Sequence, residues 1–536
     1  MFKNKGSRLV PKNFRPVSLV LMLSKLYDFV LLARFKKWFT PNDMQTAYQH
    51  GKSCSDHIFF LRCLIQHFNR DKRTLFITAI DFDGAFDRVK RSTLLKKLVF
   101  FGASSVFVSC LANLYSVSRN TIYNNGESVT YMLYAGIKQG LPLSPFLFLF
   151  YVDDIFKYLE RAYIHFNYDV FDGLHILVHA DDANLIAKSR ELMIEKLKTL
   201  LVYCKTISII LQPTKCYFTV INGDESDKSP LKISETAVVE FKNYLEILGS
   251  HISMNIKLDI ELHFKKRFKN VIKYFNFVRS NKIAPVSVKL KVMKSCVMST
   301  LLYNCETFGP YIPEGLEALY YKMLKVALGV RPNCPNMIVM IESGCLPLEC
   351  IIRSRQWKFF HRFRNSLEVN SRREAIFKEL LLKHTKYLKH YVDLVTNYTS
   401  CDSLSENYLS AIKRKINVFG ANKDNHYKFW IYLKMNPELT PSPFLNRIDK
   451  IGKAMIKFRL GSHKLSIELG RWNRIPREDR LCLTCNKLGD EFHVVYECHD
   501  ILRGDLMVIP DSFSSLWTYA DVNILFKRIV EGGYLE

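Results

Sequence analysis

Read for the alternation of apolar and polar positions, the chain divides into a mixed first half and a helical second half. Residues 75–80 are apolar and β-branched and end at Asp81, the pattern of a buried strand. Residues 174–178 and 184–187 flank Ala180-Asp181-Asp182 like the arms of a hairpin. Met193, Leu197, Leu200, Leu201 and Cys204 recur at helical spacing and predict a helix able to cover a sheet. Alternating strands and helices argue for an α/β core with carboxylates at strand ends. The longest apolar stretch, 141–152, is too short for a bilayer, which takes about 20 residues, and is assigned to a core. From about 255 onward helical patterns dominate, punctuated by Gly329, Pro332 and Pro335, and the last stretch bears cysteines. Boundaries are expected near 230, 335 and 465, with no internal repeat.

Composition adds the class of partner. A chain of 536 residues exceeds what one core organises, so two to four domains are expected. With 48% apolar and 13% aromatic residues it has ample core material. Lys and Arg outnumber Asp and Glu by 77 to 51, a formal +26 spread along the whole chain. A polyanion is the simplest partner; a solvated basic surface or a membrane-surface protein are the plainer readings. Fourteen irregularly spaced cysteines do not form a disulfide framework and point to a reducing compartment. Residues 17–24 resemble the apolar core of a signal peptide, but Lys25 and Asp28 interrupt it without a small-residue cleavage site, so secretion is rejected and an intracellular location expected.

Candidate chemistry lies in two acidic segments. Phosphoryl transfer to a primer hydroxyl uses two divalent cations about 3.5–4 Å apart, held by hard carboxylates. Asp81, Asp83 and Asp87 after the first strand, and Asp181 and Asp182 in the hairpin turn, supply such ligands. Carboxylates that close repel unless a cation lies between them. Asp153-Asp154 follows an apolar, helix-like run and is treated as a decoy, since Asp is also simply a good turn residue. Near the end, Cys482, Cys485, His493 and Cys498 are spaced C-x2-C-x7-H-x4-C, a set that can close a structural tetrahedral zinc site. Residues 263–282 interleave Lys265, Lys266, Lys269 and Lys273 with Phe264, Phe268, Val271, Phe275 and Val278, an amphipathic helix whose basic face is either solvated or tracks a duplex.

In order, Asn13-Phe14-Arg15-Pro16-Val17-Ser18-Leu19, Gln45 with Gly51-Lys52-Ser53, Asp81 to Asp87, Gly136-Ile137-Lys138-Gln139-Gly140-Leu141-Pro142-Leu143-Ser144-Pro145 and Ala180-Asp181-Asp182 resemble the successive blocks of non-LTR (LINE-type) retrotransposon reverse transcriptases. The resemblance continues through 211–215, 244–252, 301–309 and 344–347, and residues 459–472 with the Cys/His set resemble the carboxy-terminal region of the same elements. It implies an α+β right-hand polymerase of fingers, palm and thumb, followed by a mostly helical region with a small zinc knuckle. Fingers and palm would occupy 1–230, palm end and thumb 231–335, a helical linker 336–465 and the knuckle region 466–536.

The implied activity is RNA-directed DNA polymerisation, with template RNA, primer or target DNA and deoxynucleoside triphosphates as partners and no membrane. Asp81 and Asp181 match the principal carboxylates for Mg2+ or Mn2+, two ions per site, with Asp182 beside them. Phe86 matches the bulky residue under the incoming sugar, and Gln139 and Gly140 the loop at nucleotide and template. Arg15 and Lys52 match basic finger positions near the triphosphate, and Lys215 the lysine that gives a proton to pyrophosphate. Zn2+ is implied for the knuckle. The family usually has an aromatic residue where this sequence has His179, and the match begins at Met1, inside the family's first blocks, as expected of a truncated copy. These departures motivate the alternative of an inactive nucleic-acid-binding remnant. An RNA-dependent RNA polymerase, the third reading, is opposed by Phe86, which should exclude a ribose 2′-hydroxyl.

Overall fold

The computed structural model describes the chain apart from residues 1–6, 8, 11–12, 15–16, 117, 125, 165–168, 236, 282, 384, 503–511, 519–521 and 534–536. Two compact units result: residues 1–259 with 360–390, and residues 260–359 with 391–536. The boundaries expected at 230, 335 and 465 do not coincide with this division and remain proposals.

The first unit is organised by strand β1 (Leu75–Asp83). After the exposed ribbon β2 (Arg119–Asn124) and β3 (Glu127–Met132) come the hairpin β4 (Ile176–His179) and β5 (Asp182–Ala187), then β6 (Ile210–Leu211), β7 (Tyr217–Ile221), β8 (Leu231–Lys232) and β9 (Val238–Phe241). The main sheet runs β4-β5-β1-β7-β9-β8, with β6 paired to the end of β1. β5 and β7 both run antiparallel to β1, while β7 and β9 are parallel.

Alternation along β1 sends Phe76, Ile80 and Phe82 to one face, where they join a single core. Its other members include Leu147, Phe148 and Tyr151 of the helix Ser144–Val152, Ile155 and Leu159 of Asp154–Ala162, and Met193, Leu197 and Leu200 of Arg190–Thr206. The last helix is the one predicted from its period, and Ser189 caps it by accepting from the Leu192 N–H (3.2 Å). Against the opposite face lies the helix Cys54–Arg70, whose His57 Nε2 is 2.6 Å from Asn184 Oδ1 on β5.

Residues 360–390 fold back onto that same helix. Phe59 meets Phe363 (ring centroids 5.0 Å) and Phe360 (5.9 Å). Asp56, fully buried, is paired with Arg362 and lies 3.8 Å from Arg373, and Asp43 accepts from the Arg373 N–H (2.9 Å). Phe82 and Asp83 extend β1 beyond the expected stop at Asp81, because β6 supplies partners for both, and β5 begins two residues early, at Asp182.

The second unit is helical among its described residues. Its buried polar knot joins Glu342, Tyr432 and Arg459: Arg459 Nε donates to Glu342 (2.8 Å), as does the Tyr432 hydroxyl (3.0 Å). The amphipathic pattern at 263–282 falls in the helix Ile256–Ser280, and Lys282 lies outside the described residues. No helix among the described residues is long and apolar enough to cross a membrane.

Candidate active site

The ladder between β1 and β5 sets Asp81 directly opposite Asp182. The ladder between β4 and β5 sets His179 opposite Asp182, leaving Ala180 and Asp181 as the two-residue connection. Segments a hundred residues apart in sequence thus bring Asp81, Asp181 and Asp182 together. Partial desolvation, with the negative charges of Asp181 and Asp81 added, pushes the Asp182 carboxyl up to about 6 although one edge remains exposed. All donors are carboxylate oxygens, the class hard divalent cations take, and a cation among them would remove the repulsion that raises Asp182. Lys215 Nζ stands 3.4 Å from Asp81 and 3.9 Å from Asp83, one positive charge at this corner, and Arg88 holds Asp83 from the other side (2.8 Å).

Phe86 stacks on Phe148 (centroids 4.6 Å, 20° between planes) and keeps part of its ring open. Gln139 Nε2 donates to Asp87 (3.0 Å), which ties the loop 136–140 to the end of the β1 segment. A side chain at Gly140 would meet the Ser18 carbonyl oxygen at 2.6 Å, and one at Gly136 the Asp87 carbonyl at 2.7 Å, so both positions need glycine's φ and its missing Cβ. The Lys52 side chain is 4% exposed and 3.7 Å from Glu368, and burial, with the Arg373 charge added, lowers its pKa against the opposing pull of Glu368, Asp43 and Asp56. Arg15 lies outside the described residues.

Asp153 and Asp154 lie at a junction between helices. Asp153 accepts from the Asn42 N–H (2.8 Å), and burial pushes it up to about 6; Asp154 is bound by Lys97 (2.8 Å) and the Tyr203 hydroxyl (2.5 Å). Lys97 pairs the Asp154 charge, while Asp153 is held by one backbone bond and by burial that disfavours its charge.

Sequence reasoning quoted Gln45 without a role and overlooked Thr46. Residues 42–46 run beside β4 as an added edge: Val178 N–H donates to the Met44 carbonyl (3.2 Å) and Thr46 N–H to that of Val178 (3.0 Å). Gln45, 1% exposed, aims its Oε1 at the Ala180 N–H (3.1 Å) and the Ala47 N–H (3.0 Å). Thr46 Oγ1 is 2.8 Å from His179 Nδ1, and burial lowers that imidazole to about 4, so it is neutral near pH 7.

In the second unit, the ligand atoms of Cys482, Cys485, His493 and Cys498 all lie within 4.8 Å of one another. Cys485 Sγ and Cys498 Sγ are 3.8 Å apart, close to the roughly 3.8 Å edge of a tetrahedron with metal–sulfur bonds of about 2.3 Å. A bridge between Leu481 and Leu488 makes the first loop, and the Asp490-capped helix Glu491–Tyr496 presents the histidine. Burial alone would raise the Cys482 thiol, but hydrogen bonds from the backbone of Cys485 and Thr484 and from His493 and Cys498 outweigh it and bring it down to about 7.

Residues 2–252 match the family model described as reverse transcriptase (RNA-dependent DNA polymerase). The chain is 24% identical over 220 residues to the retrovirus-related Pol polyprotein from the type-2 retrotransposable element R2DM of Drosophila melanogaster, a match covering 41% of this chain and 20% of that protein. It is 26% identical over 194 residues to the Pol polyprotein from the type-1 retrotransposable element R2 of Bradysia coprophila, covering 34% and 22%. The chain thus spans about a fifth of the length of these relatives. Among solved structures, apo telomerase from Candida tropicalis superposes with a TM-score of 0.32 at 13% identity, over 76% of this chain and 60% of that one, too remote to bear on the site. By family match and by relatives, residues 2–252 are thus similar to the reverse transcriptase domains of non-LTR retrotransposon proteins.

Proposed function

We propose that the chain is an RNA-directed DNA polymerase extending a primer 3′-hydroxyl with deoxynucleoside triphosphates on an RNA template. The observation that carries this reading is the register that pairs Asp81 with Asp182 beside the Asp181 turn. Two divalent cations, magnesium or manganese, held by Asp81 and Asp181 with Asp182 beside them, would supply the charge that stabilises the attacking and leaving oxygens. Gln139, tied to Asp87, and Gly140 form the loop against the incoming nucleotide and template. Phe86, backed by Phe148, fills the space a ribose 2′-hydroxyl would need. Lys215 gives a proton to the leaving pyrophosphate. Arg15 and Lys52 are the basic finger positions, Lys52 having to leave Glu368 to reach a triphosphate.

All three carboxylates are present, which favours a polymerase over an inactive nucleic-acid-binding remnant, and Phe86 disfavours ribonucleotide polymerisation. Zn2+ closes the Cys482, Cys485, His493 and Cys498 site as a structural ion, and target DNA or template RNA is the partner of the surrounding region. A reducing intracellular setting, cytoplasmic and nuclear, suits these thiols. The test is primer extension on a poly(rA) template with magnesium: activity that vanishes in Asp181→Asn supports the reading, and an inert wild type overturns it.

A further inference from the structure

The connection that carries Asp181 is held open by a side chain from another segment. Ala180 has φ +58°, the left-handed region that a non-glycine residue enters at a cost of roughly 1 kcal/mol or more. Its N–H is buried, because Ala180 is only 6% exposed, and Ala180 lies beyond the last pair of the β4–β5 ladder. A buried N–H without a partner is expensive, and the partner here is the side-chain oxygen of Gln45. The same oxygen accepts from Ala47, so one amide closes its own segment and grips the turn together. The Gln45 carbonyl in turn accepts from Gln49 Nε2, and the Gln45–Val178 bridge sets the segment against β4.

We infer that Gln45 is the positioning residue of the metal-bearing turn: it holds Ala180 in its strained conformation, so that Asp181 reaches the corner where the β1–β5 ladder already sets Asp182 opposite Asp81. Its side-chain oxygen bonds the backbone of Ala180 and Ala47 rather than a carboxylate. The consequence is specific. Removing the acceptor leaves the sheet, its core and the Asp81–Asp182 register in place, while the two-residue connection can relax and carry Asp181 away. This inference rests on the polymerase reading for its catalytic consequence, but its structural core is independent of that reading.

The experiment uses the full chain with Gln45→Met, nearly isosteric and without an acceptor, Gln45→Asn, too short to reach Ala180, and Gln45→Glu, which keeps an oxygen at that point. Gln49→Met serves as the control, breaking a bond to the same residue without touching the turn. Hydrogen exchange at the Ala180 amide is expected to speed up at least tenfold in the Met and Asn variants and to stay within threefold in the Glu and Gln49 variants. Single-nucleotide incorporation per active molecule should fall by about thirtyfold in the Met and Asn variants, with the half-saturating magnesium concentration raised at least fivefold and KM for the primer–template unchanged. Should Gln45→Met fail to fold, Gln45→Asn carries both readouts. Unchanged Ala180 exchange in a folded Met or Asn variant overturns the inference, as does a Gln49→Met variant equally impaired. A wild type without incorporation, yet with Ala180 exchange responding as expected, overturns the polymerase reading and leaves the turn assignment standing.

Discussion

The two candidate metal sites of this molecule are built in opposite ways. The Cys/His cluster draws four ligands from residues 482–498, where a bridge, a short loop and one capped helix suffice to converge them. The carboxylate site draws its ligands from the end of β1 and a turn a hundred residues later, and depends on a register, a shared core and a glutamine from a third segment. A local site can be lost by losing its ion. A distributed site survives the loss of its ion, because the sheet beneath it is paid for by apolar burial, but it is sensitive to anything that shifts the register or the turn.

The largest effect should therefore come from Cys485→Ser. Metal binding at such a cluster supplies folding free energy on the order of 10 kcal/mol, so the variant should release one zinc per chain and lose hydrogen-exchange protection around 481–498. Extension of a short template should stay within threefold of wild type. Zinc content unchanged by this substitution would remove the assignment.

Next in size, Asp181→Asn should lower extension at least a thousandfold, about 4 kcal/mol of transition-state stabilisation, with the fold and the zinc content intact. Nucleic-acid affinity should hold or rise slightly, since one negative charge is gone. If extension survives in Asp181→Asn and disappears in Asp153→Asn, the two acidic pairs have been assigned the wrong way round.

Phe86→Ala sharpens the chemistry of the distributed site. A steric barrier of about 4 kcal/mol corresponds to roughly a thousandfold preference for deoxyribonucleotides, and the variant should admit ribonucleotides. Truncating a packed Phe typically costs about 3–5 kcal/mol of stability, so deoxyribonucleotide incorporation measured in parallel separates lost selectivity from lost fold. A wild type that already uses both substrates equally would transfer the chain to the RNA polymerases.

Asp153→Asn should have the smallest effect, and a favourable one. Burial raises the Asp153 carboxyl to about 6, so the native state keeps a proton that the unfolded chain gives up from about pH 4. Stability is therefore lost as pH rises from about 4 through 6, by up to about 3 kcal/mol, and stays lower above that window. The amide keeps the oxygen that accepts from Asn42 and has no charge to bury. Thermal melts should show the variant more stable than wild type at pH 7.5, with the difference closing toward pH 4; parallel curves at all pH values would contradict the buried-charge account.

What could be read from the sequence follows the same division. The spacing of Cys482, Cys485, His493 and Cys498 is visible because its geometry is local, and β1, the β4–β5 hairpin and the helix Arg190–Thr206 are visible because their periods are strong. The continuation of β1 through Asp83 was not, because β6 is two residues long and has no pattern of its own. Nor was the burial of Lys52. Its neighbours Glu368 and Arg373 lie more than three hundred residues away, and the pairing exists only once residues 360–390 have returned to the first unit. Gln45 carries no charge and no period, so its bond to Ala180 could only be seen in three dimensions.

That returning segment has a consequence for how the protein is made. On a ribosome the residues of the first unit emerge in order up to 259, but its last piece follows only after a hundred further residues of the second unit. At roughly 5–20 residues per second, the nascent helix Cys54–Arg70 waits roughly 15–60 seconds with the Asp56 carboxylate and the Phe59 ring lacking their partners from 360–390. The interval is a window in which chaperones can hold the half-finished chain, and translation stopping short of residue 390 should yield a chain that they retain rather than release.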